Sequence, residues 1–125
     1  MMVDGVERPW TFGEERTVLL NRTKICLNLL RQPWDDNSMR FSLAACNRSM
    51  IVSEPVLPHT PFLPGKHLVE APIEQLAEAI CYYLAHENER RAIAQHAYDL
   101  VTTELTLRNG LRCILDRALA LKRLR

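Results

Sequence analysis

Apolar and polar residues follow one another along the chain in blocks that predict strands and helices in turn. The run EERTVLLN, residues 14–21, predicts a short helix. Two near-continuous apolar runs follow, KICLNLL at 24–30 and SMIVSE at 49–54, and such runs are typical of strands covered on both faces. Between them, MRFSLAACN predicts a second short helix with Asn37 or Ser38 as its N-cap.

The second half of the chain is helical by pattern after one more short strand. Four prolines and a glycine in PVLPHTPFLPGK, residues 55–66, predict a stiff loop, and HLVEA, residues 67–71, predicts a third strand. Three helices are then predicted, the first from Pro72, the second from about Asn88 and the third from Thr106. Their predicted inward faces are Ile73, Leu76, Ala77, Ile80 and Leu84; Ile93, Ala94, Ala97, Leu100 and Val101; and Leu111, Ile114, Leu115, Ala118 and Leu119.

Strands that alternate with helices predict an α/β fold with a small parallel sheet followed by C-terminal helices. The 125 residues suit a single domain, with residues 1–13 as an irregular N-terminal segment. Parallel sheets of this kind are usually larger, so we expect the first half to resemble the end of a longer sheet with open edges. Open edges favour self-association or a partner.

Composition and charge mainly argue against certain classes of function. A net charge of +1 gives no support for a nucleic-acid partner. No apolar run is long enough for a membrane span, and the N-terminus lacks a secretory pattern, so a cytoplasmic location is expected. The four cysteines and four histidines are dispersed, which predicts reduced and mostly buried cysteines, no metal and no cofactor.

Ligands of open parallel sheets bind beyond the carboxyl ends of the strands, and two loops qualify here. The loop RQPWDDNSMR leads into the second helix, whose N-terminus suits a phosphate and whose Arg40 can pair with an anion. Glu54 ends the next strand, ahead of the proline-rich loop. His59 lies in this loop and His67 directly follows it, and either histidine could donate a proton. We expect both loops on one side of the sheet.

A structural interpretation of the same residues stays open. The sequence has neither of the common glycine-rich phosphate motifs. Clusters of Asp, Asn and Ser before a helix are often turn and cap residues, and a carboxylate at a strand end often caps a loop.

The order of motifs resembles a known family. TKICLNLLRQPWDDNSMRFSLAACNRSMIVSEP, followed by PFLPGKHLVEAPIEQLAEAICYYLAHENERRAIAQHAYDLV, is similar to the C-terminal part of GT-B glycosyltransferases of the group-one-like family. The matching features are a strand ending in LN, an RFExxAxG-like helix, a PGxxxV-like loop and an RxxIAxxA-like helix. The similarity spans roughly residues 14 to 115 and rests on the order of many weak motifs.

The resemblance implies a partial Rossmann-like, three-layer domain over residues 1–125 that binds a nucleotide-sugar donor. It implies that the start of the second helix, residues 37–40, faces the diphosphate. It also places Ser42 where the family often has a donor-contacting glutamate. The implied donor-binding residues are Asn37, Ser38, Met39, Arg40 and Ser42, and the strand-end carboxylate Glu54 is a further donor-binding candidate from its position alone. Asn47 stands where a glycine is frequent. No catalytic residue is implied.

Two functions remain open at this point. One is a donor-binding glycosyltransferase fragment that is inactive without an N-terminal acceptor half, because 125 residues cover less than one complete half. The other is a non-catalytic helical protein-interaction module. The implied partners are a nucleotide-sugar donor and either the N-terminal half or a second copy of the chain.

Overall fold

The computed structural model of the chain describes residues 11–32, 34–35, 37–56 and 61–123. The predicted α/β fold with a small parallel sheet is confirmed. The strands are β1 (Ile25–Asn28), β2 (Met50–Ser53) and β3 (Val69–Glu70). The helices are α1 (Gly13–Asn21), α2 (Ser38–Cys46), α3 (Leu76–Ala85), α4 (Glu87–Asp99) and α5 (Leu107–Arg123). A 3-10 turn, Ile73–Gln75, leads into α3, and a π-helical turn, Leu100–Glu104, follows α4.

The sheet is parallel throughout, in the order β1-β2-β3. Asn28 is the register partner of Ser53, and Ser53 is in turn paired with Glu70. The carboxyl ends of all three strands therefore lie at one end of the sheet, which is called its carboxyl edge below; the amino ends form the amino edge. The loops after β1 and β2 open on the same side, as predicted.

The core lies on both faces of the sheet, which gives the predicted three layers. Ile51 packs on one face with Phe41 of α2 and Leu100 beyond α4. Met50 and Val52, which point the other way along the strand, pack with Leu76 of α3. Because all four residues of β2 are buried, this strand is covered on both faces, as predicted.

The prediction of full cover is wrong for β1, which forms an edge of the sheet. Leu27 is 38% exposed and Leu29, just after the strand, is 48% exposed. An apolar run indicates that a strand can be buried but not whether other elements cover both of its faces. The predicted burial of the cysteines is also wrong for all but Cys26, which is partly buried, although all four are free thiols.

The predicted inward face of α3 is rotated from the observed one. Leu76 is buried and Ala79, Ile80 and Tyr83 are partly buried, while Ala77 and Leu84 are exposed and Ile73 is 58% exposed. A 3-10 turn advances by roughly 120° per residue and an α-helix by about 100°, so the turn shifts the phase of the stripe. The predicted inward face around α4 is confirmed, since Ala94, Ala97, Leu100 and Val101 are buried and Ile93 is partly buried.

The predicted inward face of α5 is wrong. Thr106 caps the helix as predicted, because its Oγ1 accepts a hydrogen bond from Asn109 N at 3.2 Å. Every residue from Leu107 to Lys122 is nevertheless exposed, including Leu111, Ile114, Leu115, Ala118 and Leu119. The helical period shows which side of a helix is apolar, but burial also requires a surface to pack against. Among the described helices, none is long and apolar enough to cross a membrane.

Helix α2 ends in two hydrogen bonds that require a left-handed residue. Arg48 N donates to Ala45 O and Ser49 N donates to Ala44 O, both at 3.0 Å, which is a Schellman motif. Arg48 occupies the left-handed position, with φ of 53°, where glycine is the usual residue. Asn47, which stands where the resemblance has glycine, has φ of −103°.

Candidate functional site

Two buried polar side chains mark the carboxyl edge of the sheet. Asn28 ends β1 and Ser53 ends β2, and they are 3% and 0% exposed. Asn28 Nδ2 donates to Ser53 Oγ at 3.0 Å, and Ser53 Oγ donates to the carbonyl of Glu54 at 2.7 Å. Polar groups at two adjacent strand ends are thus held in a fixed orientation.

Arg40 joins this pair from the first turn of α2. Its Nη1 donates to Asn28 Oδ1 and to Asn37 Oδ1, each at 3.1 Å. The residue as a whole is exposed, and these two bonds anchor its guanidinium at one nitrogen. A guanidinium has five N–H donors, and its planar geometry matches the oxygens of a phosphate.

Asn37 occupies the N-cap position of α2, one of the two positions predicted, but its side chain makes no capping hydrogen bond. Its Oδ1 accepts from Arg40, and its Nδ2 donates to the carbonyl of Asp35 at 3.0 Å. The side chain is 1% exposed. The Asn37 side chain therefore positions Arg40 and the loop ahead of α2 and does not bind the free amides of the first helical turn.

Glu54 lies beside this cluster and binds the neighbouring loop. Its Oε2 accepts a hydrogen bond from Leu30 N at 2.7 Å, which closes the turn after β1. This is the loop-capping role that strand-end carboxylates commonly have. A role for Glu54 in donor binding stays a prediction.

The other predicted donor-binding residues lie along α2. Ser38 begins the helix, Met39 is 76% exposed and Ser42 is half-buried one turn after Ser38. The structure therefore brings Asn37 and Arg40 together with two strand ends. It places Met39 at the surface and Ser42 further along the helix.

His67 makes a structural contact beside the proline-rich loop, and its proton-donating role stays a prediction. Its Nδ1 accepts a hydrogen bond from Leu63 N at 3.0 Å, and the side chain is 4% exposed. Burial, together with the charges of Lys66 and His96, lowers the pKa of His67, while Glu104 opposes them. The neutral ring is the form that can accept this bond. His59 lies outside the described residues.

Three residues of this edge, Asn28, Ser53 and Trp34, were missed by the sequence interpretation. Asn28 and Ser53 are polar residues at the ends of apolar runs, a signal that points to strand ends once two runs are known to be parallel neighbours. Trp34 lies in the loop after β1 and is 70% exposed, which is unusual for so large a ring. Cys26 lies on β1; burial raises the pKa of its thiol, against a smaller opposing effect of Arg40.

A family model described as glycosyl transferase-like matches residues 5–116. The chain belongs to this family. The predicted relationship to glycosyltransferases is thereby confirmed. Searches among curated proteins and among solved structures found no match to the chain.

Proposed function

We propose that the chain binds a nucleotide-sugar donor at the carboxyl edge of its sheet, as the donor-binding C-terminal domain of a GT-B glycosyltransferase. Membership of the glycosyl transferase-like family supports glycosyl transfer as the reaction that the domain serves. The observation that carries the proposal is Arg40, an exposed residue whose Nη1 is hydrogen-bonded to two buried asparagines, Asn28 at the end of a parallel strand and Asn37 at the start of α2.

The proposed interaction is between Arg40 and the diphosphate. Both bonds of Arg40 to asparagine use Nη1, so the guanidinium is oriented before any ligand binds, and less side-chain entropy is lost on binding. The N-terminus of α2 adds the positive end of the helix dipole, and its first turn contains no acidic residue. These features favour a ligand with two or more negative charges.

We propose Trp34 as the surface on which the nucleobase stacks. It is exposed and lies in the turn where Asp35 N donates to Gln32 O, directly ahead of Asn37. Aromatic rings bind bases of any type, with roughly 1–3 kcal/mol per stacked base. This position accounts for binding of a nucleotide but does not select a particular base.

Titration with UDP- and GDP-sugars tests the proposal, with the fluorescence of Trp34 as the readout in a Trp10→Phe background. Arg40→Met should weaken binding roughly tenfold or more, because a charge-assisted hydrogen bond is lost. Arg31→Met is the matched control: Arg31 is on the same loop, its side chain is 82% exposed, and it lies 3.9 Å from Asp35. Equal loss in both variants, or no saturable binding by the wild type, would contradict the proposal.

Transfer itself is proposed to need an acceptor-binding half, as in the two-half architecture that the resemblance implies. The purified chain alone should therefore bind the donor in the titration but show no turnover in an assay of sugar transfer. Clear transfer by the purified chain would overturn this part of the proposal and leave donor binding unaffected.

A second function, protein interaction, is favoured by α5. Leu107, Leu111, Leu115 and Leu119 form one line along the helix, and all are more than half exposed. Alongside them, basic residues outnumber acidic ones in positions 107–122; the basic residues are Arg108, Arg112, Arg117 and Lys122, and the acidic one is Asp116. Like charges disfavour pairing of two copies along this face. The occupant proposed here is a partner helix with leucines flanked by acidic residues.

A designed peptide helix with leucines on one face and flanking glutamates should bind the full chain, and the same peptide with flanking lysines should not. The double variant Leu111→Ser, Leu115→Ser should lose the binding without loss of stability. Binding of both peptides alike, or a chain that forms dimers through this face, would contradict the proposed partner.

A further inference from the structure

A second cleft lies at the opposite edge of the sheet from the candidate donor site. Thr23 and Lys24 directly precede β1 and Arg48 closely precedes β2, so the cleft is at the amino ends of the strands. Residues 87–95 of α4 form the other wall, and the volume of the cleft is about 410 Å³. Neither the family match nor the proposed function assigns a role to this edge.

Positive charge predominates in this cleft. Its lining has five basic side chains and one acidic side chain; these are Arg22, Lys24, Arg48, Arg90 and Arg91, with Glu87 as the acid. The chain as a whole has a net charge of only +1, so the excess is local. A concave surface lined by one sign of charge concentrates its field and attracts an oppositely charged ligand.

Arg90 is the buried cation of this cleft, and its charge is only partly compensated. Its side chain is only 6% exposed, and Nη2 lies 3.7 Å from Glu87 Oε1. The same carboxylate oxygen lies 2.6 Å from Arg91 Nη2, so one acid serves two cations. Among the described residues, Arg90 Nη1 is buried and has no hydrogen-bond partner. Buried nitrogens of this kind are rare, because each costs the lost hydration of a charged group.

Arg48 holds its guanidinium at this cleft despite an unfavourable backbone. Its left-handed φ of 53° would suit glycine better. Its Cζ stacks 3.6 Å from the centre of the Tyr98 ring, and its Nε donates to Gln95 Oε1 at 3.3 Å. Those contacts fix the position of the cation, which is what a preformed anion site requires.

We propose that the cleft is a second anion site, which binds the phosphate group of a small ligand between Arg90, Arg48 and Lys24. Guanidinium groups match the tetrahedral oxygens of phosphate, and a dianion would compensate the charge that Glu87 leaves over. The phosphate could belong to a free phosphate or sugar phosphate, or to a lipid headgroup. The site is separate from Arg40 and does not depend on donor binding there.

The test uses the full chain, inorganic phosphate and amide NMR. Phosphate should shift the amides of Thr23, Lys24 and Gln95 in a saturable manner, and those of Leu30 and Arg40 much less. Arg90→Met should weaken binding roughly tenfold or more. Glu87→Gln should instead tighten it several-fold, because the competing carboxylate is gone, and a structural arginine would give no such gain.

Two controls keep the test informative. Arg31→Met removes a cation at the opposite edge and should leave phosphate binding unchanged. If Arg90→Met does not fold, two other variants still test the site. Arg48→Gly, whose glycine suits the backbone angle at this position, has to weaken phosphate binding, and Glu87→Gln has to tighten it. Equal affinities in Arg48→Gly, Glu87→Gln and the wild type, or shifts that do not saturate, would overturn the proposal.

Further titrations identify the source of the phosphate. Binding of a sugar phosphate, with no recruitment to phosphatidylcholine vesicles that contain phosphatidic acid, supports a soluble ligand. Recruitment to those vesicles that is lost in Arg48→Gly supports a lipid headgroup. Recruitment that is unchanged in both Arg48→Gly and Arg90→Met, without binding of inorganic phosphate, would overturn the site.

Discussion

Glycine at position 48 should leave the free energy of unfolding within about 1 kcal/mol of the wild-type value. The left-handed φ of 53° at Arg48 costs about 1 kcal/mol for a residue with a side chain, and glycine removes that cost. Against this gain stand the lost stacking on Tyr98, about 0.5–1 kcal/mol at an exposed site, and the greater freedom of glycine in the unfolded chain, about 0.4–1 kcal/mol. The hydrogen bond from Arg48 Nε to Gln95 is also lost, but at 3.3 Å and exposed to solvent it contributes little.

Glycine at position 47 should behave differently and lower the free energy of unfolding by about 1–2 kcal/mol. Asn47 has an ordinary φ of −103°, so glycine brings no relief. The substitution also removes the hydrogen bond from Asn47 Nδ2 to Leu43 O at 2.8 Å, worth about 0.5–1.5 kcal/mol. The entropy cost of glycine adds to this loss.

Urea unfolding followed by circular dichroism measures both variants, and the comparison needs the slope with denaturant to stay constant. A stable Arg48→Gly and a weakened Asn47→Gly are expected. The resemblance, which has glycine at position 47, favours the reverse order. If Asn47→Gly is neutral and Arg48→Gly loses more than about 2 kcal/mol, the left-handed residue is assigned to the wrong position.

Three further outcomes are expected. Asn28→Asp should weaken UDP-sugar binding, because a carboxylate 3.1 Å from Arg40 Nη1 would compete with the diphosphate; unchanged affinity in the titration would contradict this. The pKa of His67 lies below its ordinary 6.5, so the stabilisation from its neutral ring is complete above pH 6.5 and is lost as the pH falls through the lowered pKa. His67→Asn, which keeps a hydrogen-bond acceptor, should flatten that part of the curve of stability against pH. An unaltered curve would contradict this prediction. Leu76→Ala should lower the free energy of unfolding by about 2–5 kcal/mol and Leu115→Ala by less than about 0.5 kcal/mol, since they are 4% and 61% exposed; equal losses in urea unfolding would show that α5 is packed.

The sequence was informative where one segment decides its own structure. The apolar runs that became β1 and β2, the polar loop ahead of α2 and the cap at Thr106 depend on local residue order, and all are found in the structure. The parallel sheet also followed from alternation of strands and helices. These features need no knowledge of what lies beside them.

What the sequence did not predict depends on neighbours in space. The exposure of Leu27 and of the α5 leucines follows from the absence of a packing surface in the described part of the chain, which no periodicity reveals. The contact of Arg40 with Asn28 joins residues on different elements, and so does that of Leu30 with Glu54. Residues 57–60, which include His59, lie outside the described part of the chain.

Amide NMR of the labelled chain during titration with a UDP-sugar tests the central claim most directly, because it distinguishes binding at the carboxyl edge of the sheet from binding at the amino edge. Nucleotide binding at the carboxyl edge should shift Leu30, Asn37, Arg40 and Glu54, and these shifts should disappear in Arg40→Met. Shifts confined to the amino edge around Lys24, or no saturable shift at either edge, would contradict the proposed donor site.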